Sequence, residues 1–119
     1  MRLCNYAVQL PHLKSERLEK PTANRYILVV RFDWDKQKAA SNLVKHKVSF
    51  EEAATVFADP LSDTFDDPDH STDEQRFLII GRSEKGRLLF VSHTDDGETV
   101  RIISAREPTR GEREKYEQR

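Results

Sequence analysis

The chain has 119 residues, 36% of them hydrophobic and 34% charged, with a net charge of -1. That length accommodates one domain with one modest core, which excludes a multidomain architecture. No apolar run approaches the roughly 20 residues of a membrane span, and the apolar stretch at residues 6–10 is too short for a secretory signal, so a cytoplasmic protein with no membrane contact is expected.

Cys4 is the single cysteine, which fits a reducing compartment. The charge is unevenly spread. Residues 1–31 hold six Lys/Arg against two Asp/Glu, residues 32–75 hold four against eleven, and residues 76–119 hold ten against eight. The acidic middle repels phosphates and suits a basic protein partner, so a nucleic-acid surface is expected on the C-terminal half.

Residues 1–25 read as a poorly structured extension ahead of a domain at 26–119. Pro11 and Pro21 interrupt any long element, and the apolar residues there have no period. The β-branched and aromatic run from Tyr26 to Phe32 predicts a strand. Asp33 or Asp35 supplies an N-cap for a helix over 36–46, whose apolar stripe is Ala39, Ala40, Leu43 and Val44. Ser49 and Glu52 form a capping box for a second helix with Phe50, Ala53, Ala54 and Phe57 on its buried face, closed at Asp59-Pro60. A weak strand from Leu61 to Phe65 leads to an acidic, turn-rich stretch at 66–74. Three strands then form a meander over 76–82, 87–94 and 99–106, with turns at Gly86 and at Asp95-Asp96-Gly97-Glu98. Thr109 and Glu112 make another capping box, opening a short polar helix to about Gln118. This order predicts an α+β fold, an antiparallel sheet of about four to five strands packed against two N-terminal helices, with a short C-terminal helix.

Four segments, in this order and spacing, resemble the BrnT toxins. They are Phe32-Asp33-Trp34-Asp35 with Lys38 to Leu43 and Lys45-His46; Val48 to Ala53; Asp59-Pro60, Asp66-Asp67-Pro68, Arg76 and Ile80-Gly81; and Arg101 to Arg106, ending in Glu112-Arg113 and Tyr116. The resemblance runs from residue 32 to 117. Such toxins usually begin just before the Phe-Asp-Trp-Asp segment, so residues 1–28 are expected to be an appendage or a mis-assigned start. The resemblance implies a RelE-like ribonuclease fold, RNA cleavage without a metal or other cofactor, and inhibition of translation and growth. It implies neutralisation by a BrnA-like ribbon-helix-helix antitoxin, through which alone operator DNA is bound.

Metal-independent RNA cleavage needs a base for the ribose 2′-hydroxyl, a cation for the phosphoryl oxygens and an acid for the leaving 5′-oxygen. Arginine suits the second role, because its planar fork matches two phosphate oxygens. Arg101 and Arg106 are the favoured pair. They lie five apart, so on a regular strand they face opposite sides. Arg76 and Glu74 follow the acidic loop, and Glu74 is either a base or one more solvated charge. His93 is a catalyst or a hydrogen-bonded core residue, and His46 is a catalyst or a helix C-cap. Arg82, Arg87 and Tyr116 are candidate RNA contacts, with a solvated hairpin turn and a helix anchor as the plain alternatives. The acidic stretch lacks the glycine and terminal ligand spacing of a calcium loop and reads as solvated, with no metal site. A second reading of the whole chain is a non-catalytic module that acts with its antitoxin in autoregulation.

Overall fold

The computed structural model describes residues 2–8, 28–67 and 75–118, with side chains from Val30 onward. The strands are β1 (Arg2–Val8), β2 (Leu28–Trp34), β3 (Asp63–Asp66), β4 (Phe77–Arg82), β5 (Leu88–Asp95) and β6 (Thr99–Arg106); the helices are α1 (Lys36–His46), α2 (Phe50–Thr55) and α3 (Arg110–Glu117), with a single 3-10 turn at Val56–Ala58 after α2. They form one sheet in the order β1-β2-β6-β5-β4-β3.

Helix starts follow local chemistry. Asp35, not Asp33, caps α1, its carboxylate accepting from Gln37 N at 2.8 Å. Lys47 ends that helix in the left-handed region at φ 60°, where Gly or Asn is the usual residue. The Thr109 capping box opens α3 as expected. The Ser49 box forms only by half. Ser49 Oγ accepts from Glu52 N at 3.0 Å, but the Glu52 carboxylate turns away to Ser83 and Arg87. A carboxylate gains more from a guanidinium than from one backbone N–H.

Three expectations are corrected. The sheet is mixed, not antiparallel; β2–β6 supply the five strands expected, and β1 adds a sixth at the edge. The meander β3–β6 fills it from the far edge inward and its last strand lands beside β2 pointing the same way, so Arg31–Asp33 pair in parallel with Thr99–Arg101. The segment read as a poorly structured extension contains β1, paired antiparallel along all seven residues of β2. Residues 9–27, with the expected strand start at Tyr26, lie outside the described residues. The stripe expected on α1 does not face the core either: Leu43 is 50% and Val44 73% exposed, and Asn42 is buried in their place. The Asn42 amide donates to Val48 O and Ala105 O at 2.9 and 2.8 Å and accepts from Ala105 N at 3.1 Å. β2 pairs with β6 only as far as Arg101, and Asn42 satisfies backbone groups of β6 beyond that point. Those bonds fix the helix's rotation against its own apolar pattern.

The two sheet faces differ. The inner face carries Val30, Phe32, Trp34, Ile79, Leu89, Val91, Val100, Ile102 and Ala105, packed under Val48, Phe50, Ala53, Ala54 and Val56. The outer face has a smaller cluster, Ile80, Leu88 and Phe90, against which Tyr116 of α3 packs. Helices therefore lie on both faces, α1 and α2 on the inner one and α3 on the outer one. No helix among the described residues is long and apolar enough to cross a membrane.

Candidate functional site

Arg101 and Arg106 come to the same face through an irregularity in β6. Ser92 pairs with Ser104, but the next residue, His93, pairs with Ile102, so Ile103 has no counterpart on β5. One extra residue reverses the side-chain parity beyond it. Val100, Ile102 and Ala105 point into the core, while Arg101, Ser104 and Arg106 stand on the outer face. The expectation that a five-residue spacing separates the two arginines is corrected here.

Register pairs define what surrounds Arg101. Asp33 of β2 is its partner on one side and Thr94 of β5 on the other, with Ser92 and Ser104 directly opposite each other further along. Side chains in register lie about 5 Å apart at Cβ. Asp33, Ser92, Thr94, Arg101 and Ser104 are all half-buried, and Arg31, on the same face of β2, is exposed. This half of the outer face thus offers hydroxyls, a carboxylate and guanidinium groups, whereas the half under α3 is apolar. Arg106 stands at the boundary, its guanidinium 5.0 Å over the Phe90 ring and paired with Glu112 at 2.8 and 3.0 Å. Glu112 raises the Arg106 guanidinium further above its ordinary range, and Arg106 holds the Glu112 carboxyl below its own.

The other expected site residues lie elsewhere. His93 is on the inner face, 3% exposed, between the rings of Phe57 and Phe77 at 4.8 and 5.9 Å. Burial pushes its imidazole down to about 4, against weaker opposition from the Val91 backbone and Asp95, so it is neutral at pH 7. A cleft of about 300 Å³ opens beside it, walled by Thr64, Phe77, Asp95 and Gly97. His46 is half-buried in the last turn of α1, the helix that packs on the inner-face core through Ala39. Arg76 directly precedes β4, and its carbonyl accepts from Asp67 N at 2.9 Å, which closes the neck of the acidic loop. Glu74 lies outside the described residues, as does most of that loop.

Arg87 is built into the fold. Its Nε donates to Glu52 Oε2 at 3.0 Å, and Nη2 reaches Glu52 Oε1 and, at 2.9 Å, Lys47 O. Glu52 is 2% exposed and also accepts from Ser83 Oγ at 2.6 Å. Arg82 donates to Gly86 O at 3.2 Å across its own hairpin. Tyr116 donates to Leu61 O at 3.2 Å and anchors α3. Sequence reasoning missed Arg31, Asp33, Ser92, Thr94 and Ser104 as a group. The signal for two of them is the alternation of Ser92 and Thr94 with Val91 and His93, which marks one wet face of β5.

The comparisons agree with this architecture. No curated protein matches the sequence. The crystal structure of the Brucella abortus ribonuclease toxin BrnT matches with a TM-score of 0.51 at 20% identity, over 66% of this chain and 96% of that one, a likeness of fold. The model of the family described as the ribonuclease toxin BrnT of type II toxin–antitoxin systems matches residues 34–112. On that match, which takes in the two inner-face helices, the meander and the arginine-bearing strand, the chain belongs to the BrnT family of ribonuclease toxins.

Proposed function

We propose that this chain is an endoribonuclease toxin that cleaves RNA without a metal, inhibits translation and growth, and is neutralised by a BrnA-like ribbon-helix-helix antitoxin. Operator DNA is bound only through that antitoxin. The observation that carries the reading is the side-chain parity of β6, which gives Arg101 and Arg106 one open face, with Ser92, Thr94 and Ser104 beside them. In this reading the RNA backbone lies across the polar half of that face. The 2′-hydroxyl attacks the adjacent phosphorus as the P–O5′ bond breaks, and the leaving 5′-oxygen takes a proton from solvent water, so the products are a 2′,3′-cyclic phosphate and a 5′-hydroxyl. Arg101 holds the phosphoryl oxygens as charge accumulates there. Arg76 attracts the strand at the loop neck, and Glu74 takes the 2′-hydroxyl proton. His93, neutral and buried, supports the sheet beneath.

The test is expression from a tight promoter with and without the antitoxin, together with RNA cleavage by the purified protein in excess chelator. Arg101→Ala is expected to lose toxicity and cleavage while still binding the antitoxin. A wild-type protein that binds the antitoxin but neither cleaves RNA nor slows growth would overturn the enzyme reading in favour of the non-catalytic module.

A further inference from the structure

Arg87 and Arg106 each pair with a glutamate, but the two pairs leave different donors over. Arg87 meets Glu52 side-on, through Nε and Nη2, and its remaining Nη2 hydrogen goes to Lys47 O. Its Nη1 lies 3.6 Å from the Glu107 carboxylate. No phosphate-shaped pair of donors remains on it. Arg106 meets Glu112 end-on, Nη1 to Oε1 at 2.8 Å and Nη2 to Oε2 at 3.0 Å, and its other Nη1 hydrogen goes to Glu107 O at 3.2 Å. What remains is the Nε–H and the second Nη2 hydrogen. These two are parallel and adjacent, the side-on fork that matches two oxygens of a phosphate.

That fork is also held still. The Phe90 ring lies under one face of the guanidinium, and the Arg106 side chain is 38% exposed on the open face. Glu112 is fixed in turn, because Oε1 also accepts from Thr109 N at 2.8 Å while Thr109 Oγ1 accepts from Glu112 N at 3.3 Å. The start of α3 therefore does more than cap a helix. It sets the orientation of an arginine on the sheet next to it.

The geometry points to a phosphodiester-binding fork on Arg106, with Glu112 as the residue that positions it. This rests on the reading of the chain as an RNA-cleaving toxin. Along β5 the partners of Arg106 and Arg101 are Phe90 and Thr94, four residues or roughly 13 Å apart, so Arg106 extends the Arg101 patch toward α3. A fork locked before RNA arrives loses less side-chain entropy on binding than a free arginine does.

The experiment uses the full chain and two probes. An unmodified RNA oligonucleotide reports kcat and KM. A fully 2′-O-methylated one has no attacking hydroxyl and reports binding alone. Glu112→Gln keeps a capping-box residue at that helix position but replaces one acceptor oxygen with an NH₂ facing Nη2. Its thermal midpoint is expected to stay near that of the wild type, while binding of the methylated probe and kcat/KM fall about tenfold, the scale of one charge-assisted contact. Arg106→Lys keeps the charge but has no fork, and is expected to show the same loss. Glu112→Gln is expected to add nothing to Arg106→Ala, because it acts only through that side chain. Unchanged binding and cleavage in Glu112→Gln would overturn the assignment and leave Glu112 as a helix cap. A gain in binding would overturn it too, since Glu112 would then be masking Arg106. A wild type that binds the methylated probe but cleaves nothing refutes the ribonuclease reading alone, and the fork then stands or falls on the binding arm. A wild type that does neither refutes both.

Discussion

Replacing Arg87 with alanine leaves the Glu52 carboxylate 2% exposed with only the Ser83 hydroxyl, at 2.6 Å, as a side-chain donor. Removing one partner of a buried ion pair costs about 3–5 kcal/mol, most of it the penalty of an uncompensated buried charge. Two features place this case at the low end. Ser83 still donates, and the Arg87 side chain is itself 31% exposed, so water screens part of the pair. A loss of about 2–3 kcal/mol follows, and for a domain of this size that lowers the thermal midpoint by roughly 10 °C at pH 7. The pH dependence has a definite sign. Arg87, by hydrogen bonding to it, holds the Glu52 carboxyl below its ordinary 4.5. The stabilisation is therefore complete above about pH 4.5 and is lost as pH falls through the lower folded value. In Arg87→Ala, burial is no longer opposed by the guanidinium and Glu52 takes up its proton more readily. The gap between the two proteins should close on acidification. The assay is thermal denaturation followed by far-UV circular dichroism at pH 7, 5.5 and 4. A shift below about 2 °C at pH 7, or a gap that does not change with pH, would refute this account of how α2 is tied to the β4–β5 hairpin.

His93 titrates near 6.5 when unfolded and near 4 when folded, so stability falls as pH drops from 6.5 to 4, by about 3 kcal/mol in total. Urea unfolding across that range should show a steeper pH dependence for the wild type than for His93→Phe; equal slopes would contradict the burial argument. A Cβ on Gly81 would lie 2.9 Å from Ser62 Cβ and 3.1 Å from both Asp59 Oδ2 and Val56 Cγ1, so Gly81→Ala should cost about 1–3 kcal/mol by overpacking. An unchanged urea midpoint would show that the 59–62 turn moves aside at no cost. Among the described residues β1 pairs only with β2, at one edge of the sheet, and the family match begins at Trp34. We propose that residues 26–119 fold without the extension, and that a chain starting at Asn24 keeps its toxicity and loses at most a few degrees; loss of toxicity would make β1 part of the working toxin. A chain starting at Trp34 lacks the core residues Val30 and Phe32 and should not fold.

The candidate site was partly legible. Arg101 and Arg106 stood out through the family motif, while Ser92 and Thr94 were missed although their alternation on β5 marks a wet face. The separation of the two arginines was misjudged because the period of two holds only for a regular strand, and nothing in Arg101-Ile102-Ile103-Ser104-Ala105-Arg106 marks where a residue is left unpaired. Arg87 resembled a solvated hairpin charge because its partner, Glu52, lies 35 residues away. Asn42 looked like a polar position on a helix whose leucine and valine should have been buried, yet its amide is matched to β6 backbone groups 63 residues further on.

By itself the sequence determined where most of the elements after β2 lie. α1 and β6 have the limits that periodicity and capping chemistry imply, and Thr109 with Glu112 starts α3 as read. Those signals are local: a cap, a turn glycine or an apolar repeat acts within one or two turns of chain. Only the tertiary structure decided the parallel pairing of β2 with β6, the rotation of α1, and which arginines are consumed by the fold and which face outward. Each of these depends on a pairing register or on hydrogen bonds between distant segments, and one residue of slip reverses every side chain beyond it.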